Sequence, residues 1–392
     1  MPDPRPRLLF YCQHSLGIGH LMRSFALCEA LARSFAVRLL CGGRIPEGIA
    51  PPPGFEIVAL PAIAANLDFS LVGEDGGRPV ADTMDERARL ILQAYEELRP
   101  AAVVVELFPF GRKKFGRELL PLLAAARREP RPVVACSLRD LLVGRHDQAS
   151  HDERASRLAN EYFDAVLVHA DPRLVRLEET FQPATPLRVP IFYTGYVVRG
   201  GDRTARPGPE AGPRGVLVSV GSGTQGEALL RAAAAAQPEV LATTGMPMRI
   251  VAGPHVREDL WAWLLGALGG RQGAELVRVV PDLGPELAAA AVSVSHCGYN
   301  TALEVLGSGI PALVVPALEE GDQETARAGR LSGLGLVRVL PRDRLTPASL
   351  AEEIRGLREF RPAPFDLDVD GAAASTAILE RLVGSGTGSR GA

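Results

Sequence analysis

The sequence predicts an α/β protein built from two doubly wound domains with parallel sheets. Short, fully apolar runs alternate with Ala- and Leu-rich helical segments, which is typical of parallel strands covered by helices on both faces. One segment rich in Gly, Pro and Arg, residues 199–214, interrupts this alternation and predicts a linker. The chain of 392 residues is long enough for two domains of ordinary size.

The apolar runs set the expected elements of each domain. In the first domain, residues 1–198, five runs predict strands, and 24–34 and 117–128 predict helices: RLLFYC (7–12), AVRLLC (36–41), AAVVVEL (101–107), PVVACS (132–137) and AVLVHA (165–170). In the second domain, residues 215–365, six runs predict strands: GVLVSV (215–220), MRIVAG (248–253), LVRVV (276–280), VSVSH (292–296), ALVVP (312–316) and LVRVL (336–340). A last helix is expected over 372–384, and the tail 385–392 is expected to be disordered.

Composition excludes several classes of protein. Hydrophobic residues make up 46% and charged residues 23%, and the net charge of -3 predicts no general affinity for nucleic acid or membranes. Five cysteines without a Cys-x-x-Cys pair argue against a disulfide framework or a zinc site and favour a reducing compartment. No apolar run approaches the ~18 residues of a membrane span, and no signal-peptide pattern opens the chain, so a cytoplasmic location is expected. The bias towards Arg, Ala, Gly and Pro indicates a GC-rich bacterial genome.

The stretch LGIGHLMRS, residues 16–24, follows the first predicted strand. Gly17 and Gly19 permit a tight turn or a close approach of another molecule to the backbone. His20 then stands at the mouth of a strand-to-helix turn, where α/β proteins hold their ligands. A tight turn with a solvent-exposed histidine fits the same pattern, because a lone Gly-x-Gly has little specificity.

A second glycine loop, GSGTQG at 221–226, lies between a predicted strand and a predicted helix. Its G-x-G-x-x-G spacing is that of a dinucleotide-binding turn, in which a helix start faces a diphosphate. That interpretation also requires an acidic residue at the end of the next strand, whereas Glu239 lies in a helix-to-strand connection. The loop therefore predicts a phosphate near a helix start more firmly than a nicotinamide cofactor, and a turn without a ligand stays open.

The segment HCGYNTALEVLGSGIPALVVPALEEGDQETA, residues 296–326, carries the strongest signal. His296 ends a strand, Gly298 permits a turn, and Asn300 and Thr301 are predicted to cap the helix that carries Glu304. The start of that helix can hold a diphosphate, and Glu304 can accept hydrogen bonds from ribose hydroxyls. The acidic EEGDQE run that follows offers groups suited to sugar hydroxyls.

The pattern H-C-G-x-N-T-x-x-E, followed after four residues by G-x-P, resembles the donor-binding signature of GT-B glycosyltransferases. It is similar both to plant glucosyltransferases and to the bacterial family that adds N-acetylglucosamine to lipid I. The resemblance implies two Rossmann-like domains facing each other across a cleft, with the donor on the second domain and the last helix packed back on the first. It also implies a nucleotide-diphosphate sugar as substrate, inversion at the sugar, and no essential metal or cofactor.

The resemblance assigns roles residue by residue. GIGHLMRS resembles the first glycine loop of the lipid-I family, which makes His20 the general base, a role that a pKa near 6.5 suits. Glu304 would bind the ribose, Val280 and Leu283 the base, and Asp322, Gln323 and Glu324 the sugar. The segment ALEEGDQ is two residues longer than the plant pattern, which leaves open which acidic neighbour of Gln323 contacts the sugar. The donor diphosphate is assigned to Gly19, Ser222, Gly223, Thr224, Gln225, His296, Gly298, Tyr299, Asn300 and Thr301.

The acceptor site has the weakest signal. Four polar residues at the expected ends of strands or one turn into a helix are its candidates: Arg23, Glu106, Arg139 and Asp140. The basic stretch 106–119 also fits an acceptor subsite or a peripheral contact with an anionic membrane surface. The loop-like segment 146–153 suggests that His146 and His151 are solvated. The run DLDVDG, 366–371, begins like a calcium loop but has Ala377 at its twelfth position, so no metal site is predicted.

The sequence therefore predicts a glycosyltransferase that moves a sugar from a UDP-sugar to a small-molecule or lipid-linked acceptor. A nucleotide-sugar hydrolase is the alternative, because the Gly-His loop is also similar to that of such hydrolases, in which the histidine activates water. A third class, a dinucleotide-binding protein that uses the Gly221 loop, is kept on the strength of the G-x-G-x-x-G spacing alone.

Overall fold

The computed structural model describes residues 3–14, 19–46, 49–65, 71–73, 78–140, 147–198, 215–317 and 323–388. Two compact units make up the chain: Met1–Arg199 together with Asp368–Ala392, and Gly200–Leu367. The predicted linker 199–214, Gly17, His146 and Asp322 lie outside the described residues.

The N-terminal unit contains a parallel sheet of seven strands and a separate antiparallel pair. Its strands are β1 (Arg7–Cys12), β2 (Ala36–Cys41), β3 (Glu56–Ala59), β4 (Ile63–Ala65), β5 (Leu71–Gly73), β6 (Ala102–Glu106), β7 (Val133–Arg139), β8 (Ala165–His169) and β9 (Ile191–Tyr193). The sheet order is β3-β2-β1-β6-β7-β8-β9, and β4 pairs with β5. The helices between these strands are α1 (Gly19–Leu31), α2 (Val80–Leu98), α3 (Gly116–Ala126) and α4 (Gln148–Tyr162).

The C-terminal unit repeats this plan with six parallel strands. They are β10 (Val216–Ser219), β11 (Met248–Val251), β12 (Ala274–Val277), β13 (Val292–Ser295), β14 (Ala312–Val314) and β15 (Arg338–Val339), in the order β12-β11-β10-β13-β14-β15. The helices are α5 (Glu227–Thr244), α6 (Glu258–Leu268), α7 (Gly284–Ala289), α8 (Tyr299–Ser308), α9 (Gln323–Gly333) and α10 (Pro347–Leu357). Short 3-10 turns occur at Lys113–Phe115, Leu177–Glu179 and Arg342–Arg344.

The last helix, α11 (Gly371–Gly388), belongs to the N-terminal unit. It packs against α1 and β7, and its Leu379 is fully buried in the apolar core beside Phe10 and Phe25. The helix continues four residues beyond the predicted end at 384. Asp370, the residue just before this helix, forms an isolated antiparallel β-bridge with Val197.

Both sheets have the strand order of a Rossmann fold. The first strand of each unit lies centrally, with the second and third core strands on one side and the later strands on the other. Strands β6, β8, β10 and β13 are buried along their whole length, as expected for a sheet covered on both faces. The prediction of two doubly wound parallel sheets is confirmed. Ligands of such sheets bind at the carboxyl ends where the strand order reverses, here between β1 and β6 and between β10 and β13.

Candidate active site

His20 and Glu106 meet where the strand order of the N-terminal sheet reverses. Gly19 and His20 begin α1 just after β1, and Glu106 is the last residue of β6. The His20 Nδ1 atom lies 2.6 Å from Glu106 Oε1, and the imidazole is 19% exposed while the carboxylate is fully buried. An ionised carboxylate only accepts hydrogen bonds, so Nδ1 carries the proton and Nε2 remains an acceptor.

Arg23, one turn after His20, contacts the same carboxylate oxygen. Its Nη2 donates to Glu106 Oε1 and lies 3.3 Å from His20 Nδ1. The Arg23 side chain is only 2% exposed. The sequence analysis assigned Arg23 and Glu106 to the acceptor, but two buried side chains that bind each other cannot form a contact surface. The structure therefore places both side chains against His20 instead of at an exposed acceptor surface.

Burial and nearby charges set the protonation of this cluster. Burial lowers the pKa of His20 to about 3, with Arg112 and Arg23 acting in the same direction and Glu106 opposing them. Burial raises the pKa of Glu106, but His20, Arg23 and Arg112 outweigh it and hold that pKa at about 2. At neutral pH the cluster therefore contains a neutral imidazole and an ionised carboxylate, which is the form that a general base requires.

The remaining candidates of this unit lie at the end of β7 and in α4. Arg139 is half-buried at the last position of β7, and Asp140, which follows it, is fully buried. The expectation that His151 is solvated was wrong, because it lies inside α4, is buried, and has Nδ1 at 3.3 Å from Asp152 Oδ1. His151 lies on the buried face of the amphipathic helix α4, although the polar residues around it suggested a loop.

A buried arginine that the sequence analysis missed holds the backbone just after β1. Arg87 of α2 is fully buried and donates to both oxygens of Glu118, at 2.7 and 2.8 Å. It also donates to the Gly42 carbonyl at 2.7 Å and to Gln13 Oε1 at 2.5 Å. The Gln13 amide in turn donates to the carbonyls of His14 and Ile63, at 2.8 and 2.9 Å. The turn after β1 is therefore held in place by Arg87 of α2, which is itself paired with Glu118 of α3.

The loop between β10 and α5 lies at the corresponding place in the C-terminal sheet. Gly221 and Gly223 have positive φ values of 62° and 87°, which glycine adopts readily. A Cβ atom on Gly223 would lie 2.6 Å from the Ala252 carbonyl oxygen, whereas one on Gly221 would meet nothing within 4 Å. One glycine is therefore needed for packing against the neighbouring loop, while the other leaves an open face.

The polar residues of this loop lie together. Ser222 Oγ is 3.2 Å from Thr224 Oγ1, and the Ser222 carbonyl accepts a hydrogen bond from the backbone N–H of His255 at 2.8 Å. Gln225 is exposed, and α5 starts two residues later. The loop thus combines hydroxyl groups with the start of a helix of 18 residues, a combination suited to phosphate oxygens.

His296 follows β13 on the other side of the reversal point. Its Nδ1 donates to the Val315 carbonyl at 2.7 Å, and its buried Nε2 has no hydrogen-bond partner among the described residues. Helix α8 begins at Tyr299 with Gly298 as N-cap, so the predicted caps Asn300 and Thr301 instead occupy its first turn. The N-cap glycine has no side chain that could cap this helix, and a helix start of this kind is suited to an anion. The Tyr299 side chain is buried, so only its backbone can face such a ligand.

Glu304 lies one turn into α8 and is half-buried. Burial and the nearby charge of Asp282 raise its pKa to about 7. Val280 and Leu283, the residues predicted to hold the base, flank Asp282 in the loop before α7 and are both half-buried. Glu304 and the two predicted base contacts therefore belong to one part of the C-terminal unit.

The start of α9 lies against the turn that contains His296. Arg327 Nη1 donates to the Cys297 carbonyl at 2.6 Å, and Glu324 Oε2 accepts from the backbone N–H of Ala317 at 3.0 Å. A Cβ on Gly298 would lie 3.4 Å from Glu324 Oε1. Gln323 is buried at the first position of the helix. The predicted sugar-binding and diphosphate-binding residues are thus neighbours.

Two further properties of the described chain bear on the predicted partners. Where the structure describes side chains, no three His, Cys, Asp or Glu residues converge as a metal site would require. None of the helices within the described ranges is both long and apolar enough to cross a membrane.

The two glycines of the β10–α5 loop give a matched test of this site. We expect Gly223→Ala to lower the free energy of unfolding by about 3 kcal/mol, because positive φ and a backbone clash both penalise it. Gly221→Ala should cost only about 1 kcal/mol for its positive φ, yet weaken UDP binding, because its methyl group would occupy the open face. Urea unfolding and calorimetric UDP titration measure both effects. Unchanged UDP affinity in a folded Gly221→Ala variant would show that no phosphate approaches there.

Glu304 gives a pH-dependent prediction for stability. A carboxyl whose pKa rises from 4.5 to about 7 on folding binds more protons in the folded state, so stability falls as pH rises between those values. Glu304→Gln removes this loss, and we expect it to stabilise the protein by about 2 kcal/mol more at pH 8 than at pH 5. Urea unfolding at the two pH values checks this. An equal effect at both would contradict the raised pKa.

The two Rossmann-ordered sheets, each with polar groups at the carboxyl ends of its central strands, are those of the GT-B fold. Residues 216–377 match the glycosyltransferase family 28 C-terminal domain. The chain is 27% identical over 383 residues to the UDP-N-acetylglucosamine--N-acetylmuramyl-(pentapeptide) pyrophosphoryl-undecaprenol N-acetylglucosamine transferase of Methylorubrum extorquens, covering 95% of this chain and 94% of that relative. The predicted resemblance and the class of enzyme are therefore confirmed.

Solved structures establish the fold independently. The calicheamicin glycosyltransferase CalG4 superposes with a TM-score of 0.57 at 20% identity, covering 97% of this chain and 95% of CalG4. A UDP-glucosyltransferase from Polygonum tinctorium that glucosylates indoxyl superposes with a TM-score of 0.59 at 16% identity, covering 99% of this chain and 100% of that structure. At these identities the two structures support the GT-B fold alone.

Proposed function

We propose that this glycosyltransferase moves a sugar from a UDP-sugar to an acceptor hydroxyl, with inversion at the anomeric carbon and His20 as general base. The observation that carries the proposal is the hydrogen bond from His20 Nδ1 to the buried, ionised Glu106, which leaves Nε2 free of a proton. The relative from Methylorubrum extorquens is named for a UDP-linked donor, which supports UDP as the nucleotide.

The C-terminal unit supplies groups for each part of the donor. The start of α8 and the Ser222–Thr224 hydroxyl pair suit the diphosphate. The sequence motif alone assigns His296 to the diphosphate. Glu304 is assigned to the ribose, and Gln323 with Asp322 or Glu324 to the sugar. Positive helix ends and neutral donors of this kind can stabilise a diphosphate leaving group, which supports the proposal that no metal is essential.

The reaction in this proposal is a single displacement. The acceptor O–H gives its proton to His20 Nε2 as its oxygen forms a bond to the anomeric carbon from the face opposite the leaving group. The bond from that carbon to the β-phosphate oxygen breaks, and UDP leaves with the bonding electron pair. Glu106 stabilises the imidazolium that forms, which lowers the barrier without taking the proton itself.

The acceptor is proposed from the relatives, since local sequence patterns do not specify it. The name of the Methylorubrum extorquens relative specifies a lipid-linked muramyl acceptor, and that relative aligns over nearly its whole length. We therefore propose a lipid-linked acceptor reached by peripheral contact at the cytoplasmic face of a membrane, with a small-molecule acceptor as the second candidate. Exposed Lys113 and Lys114, seven and eight residues after Glu106, are suited to an anionic acceptor headgroup.

Donor binding and transfer are tested in two steps. UDP titrated by calorimetry into the protein in EDTA should bind below millimolar concentration, and no binding at that level would contradict a UDP-sugar donor. UDP-N-acetylglucosamine incubated with the lipid-linked muramyl acceptor should then give a glycosylated product by mass spectrometry. Proton NMR of the new linkage should show the anomer opposite to that of the donor.

The same assay separates transfer from hydrolysis. The relative from Methylorubrum extorquens is named as a transferase, and this favours transfer over the nucleotide-sugar hydrolase considered from the sequence. Release of free sugar at a rate that no acceptor changes would reverse that preference. Tight binding of a nicotinamide dinucleotide that Glu304→Ala leaves unchanged would instead support the dinucleotide-binding alternative.

A further inference from the structure

Arg23 is a buried cation placed against the pair that the proposed function makes catalytic. Its side chain is 2% exposed, and its Nη2 shares Glu106 Oε1 with the Nδ1–H of His20. Arg23 and His20 are three residues apart on α1, so one helix face presents both groups to the end of β6. A buried guanidinium is costly to desolvate, so its burial beside Glu106 points to a specific role for its charge.

We propose that Arg23 is a positioning residue that fixes the tautomer of His20 by keeping Glu106 ionised. This inference rests on the proposed function, in which Nε2 of His20 takes the proton of the acceptor. A carboxylate at Glu106 can only accept, so the imidazole must present its N–H at Nδ1 and its lone pair at Nε2. The guanidinium therefore determines which nitrogen is available for the reaction, although it touches neither substrate.

Loss of the guanidinium should reverse this arrangement. Burial favours the neutral form of Glu106, and His20, Arg23 and Arg112 oppose it. Loss of Arg23 removes the cation in direct contact with the carboxylate, and we expect Glu106 then to take a proton from solvent at pH 7. A protonated Glu106 becomes a donor, and its O–H would pair with an unprotonated Nδ1. The single proton of the neutral imidazole would then sit on Nε2, where it blocks proton transfer from the acceptor.

The other titratable groups near this cluster do not replace the charge of Arg23. Arg112 adds a second positive charge that also lowers the pKa of Glu106, while burial keeps the nearby thiols and the second histidine neutral: Cys12, Cys136 and His169. Burial lowers the pKa of His169 to about 3, and its ring nitrogens bind Ser137 Oγ at 2.8 Å and Thr194 Oγ1 at 2.9 Å. We therefore expect one substitution, at Arg23, to change the protonation of Glu106.

The direct test is NMR of the full-length protein labelled with ¹⁵N-histidine, compared between wild type and Arg23→Met. At pH 7 the wild-type His20 should show a protonated Nδ1 and an unprotonated Nε2. In Arg23→Met the assignment should be reversed, and it should return to the wild-type state as rising pH ionises Glu106. Arg23→Gln gives the same measurement if the Met variant does not fold. A protonated Nδ1 in the neutral variants at pH 7 would overturn the inference.

Kinetics give the second measurement. Arg23→Met should lower kcat by roughly 10- to 100-fold at pH 7, with a loss that shrinks towards pH 9, and Arg23→Lys should recover most of it. A merely structural role would instead give a loss independent of pH. Arg89→Met, which removes an exposed arginine paired with Glu86, is the matched control and should keep wild-type kcat. The NMR measurement requires no substrate, so it stands even if transfer is not observed and the proposed function fails.

Discussion

His20→Ala is expected to lower turnover by roughly 10²–10⁴-fold, the usual contribution of a positioned general base. The affinity for UDP should stay close to that of wild type, because the groups assigned to the nucleotide belong to the C-terminal unit. The fold should also persist, since Glu106 keeps its ion pair with Arg23 when the imidazole is removed. Turnover, UDP dissociation constant and melting temperature of the one variant together test all three expectations.

The reciprocal control for His20→Ala is Glu304→Ala. Removing a ribose contact that exists before the reaction should raise the UDP dissociation constant and leave turnover at saturating donor nearly unchanged. Added imidazole should restore part of the activity of His20→Ala but none of the affinity of Glu304→Ala. A folded His20→Ala protein with unimpaired turnover would end the catalytic assignment.

Most of the fold could be predicted because the central strands are recognisable from short local stretches of sequence. RLLFYC and AVRLLC gave the bounds of β1 and β2, since apolar runs that fill a covered sheet end where polar residues begin. The strands β3 and β9 were missed because they lie at the edges of the sheet, are short, and contain half-exposed residues. A run of three or four residues of this kind does not differ from a loop in its sequence.

The candidate residues of the two units differ in how far the sequence could predict their grouping. The donor groups follow β13 within one continuous segment, so a linear motif brought His296, Gly298 and Glu304 together. The pair formed by His20 and Glu106 joins residues 86 positions apart, and only the sheet order places β6 beside β1. The sequence analysis therefore identified His20 and Glu106 as candidates, but it did not predict that they contact each other. It assigned Glu106, together with Arg23, to the acceptor.

Arg87 was not identified by any pattern, because an arginine within the amphipathic helix α2 is expected to face solvent. The structure buries it completely, as it does Glu118, with which it forms a bidentate ion pair. Tyr11 also donates to Glu118, and Arg87 binds Gln13, so four polar side chains close one network beneath the turn after β1. Burying these polar and charged groups carries a large desolvation free energy, so the network stabilises the fold only while all its hydrogen bonds are made.

Arg87→Met is therefore expected to lower the free energy of unfolding by about 3–5 kcal/mol, since it leaves the Glu118 carboxylate buried without its cation. For a domain of this size, the melting temperature should fall by roughly 10 °C. The matched control is Arg117→Met, whose arginine pairs with Asp85 at the surface and should change stability by less than about 1 kcal/mol. The double variant Arg87→Met with Glu118→Gln should regain part of the loss, because the buried charge is then removed. If urea unfolding gives Arg87→Met the stability of Arg117→Met, the turn after β1 is held by its apolar neighbours and the network is not required.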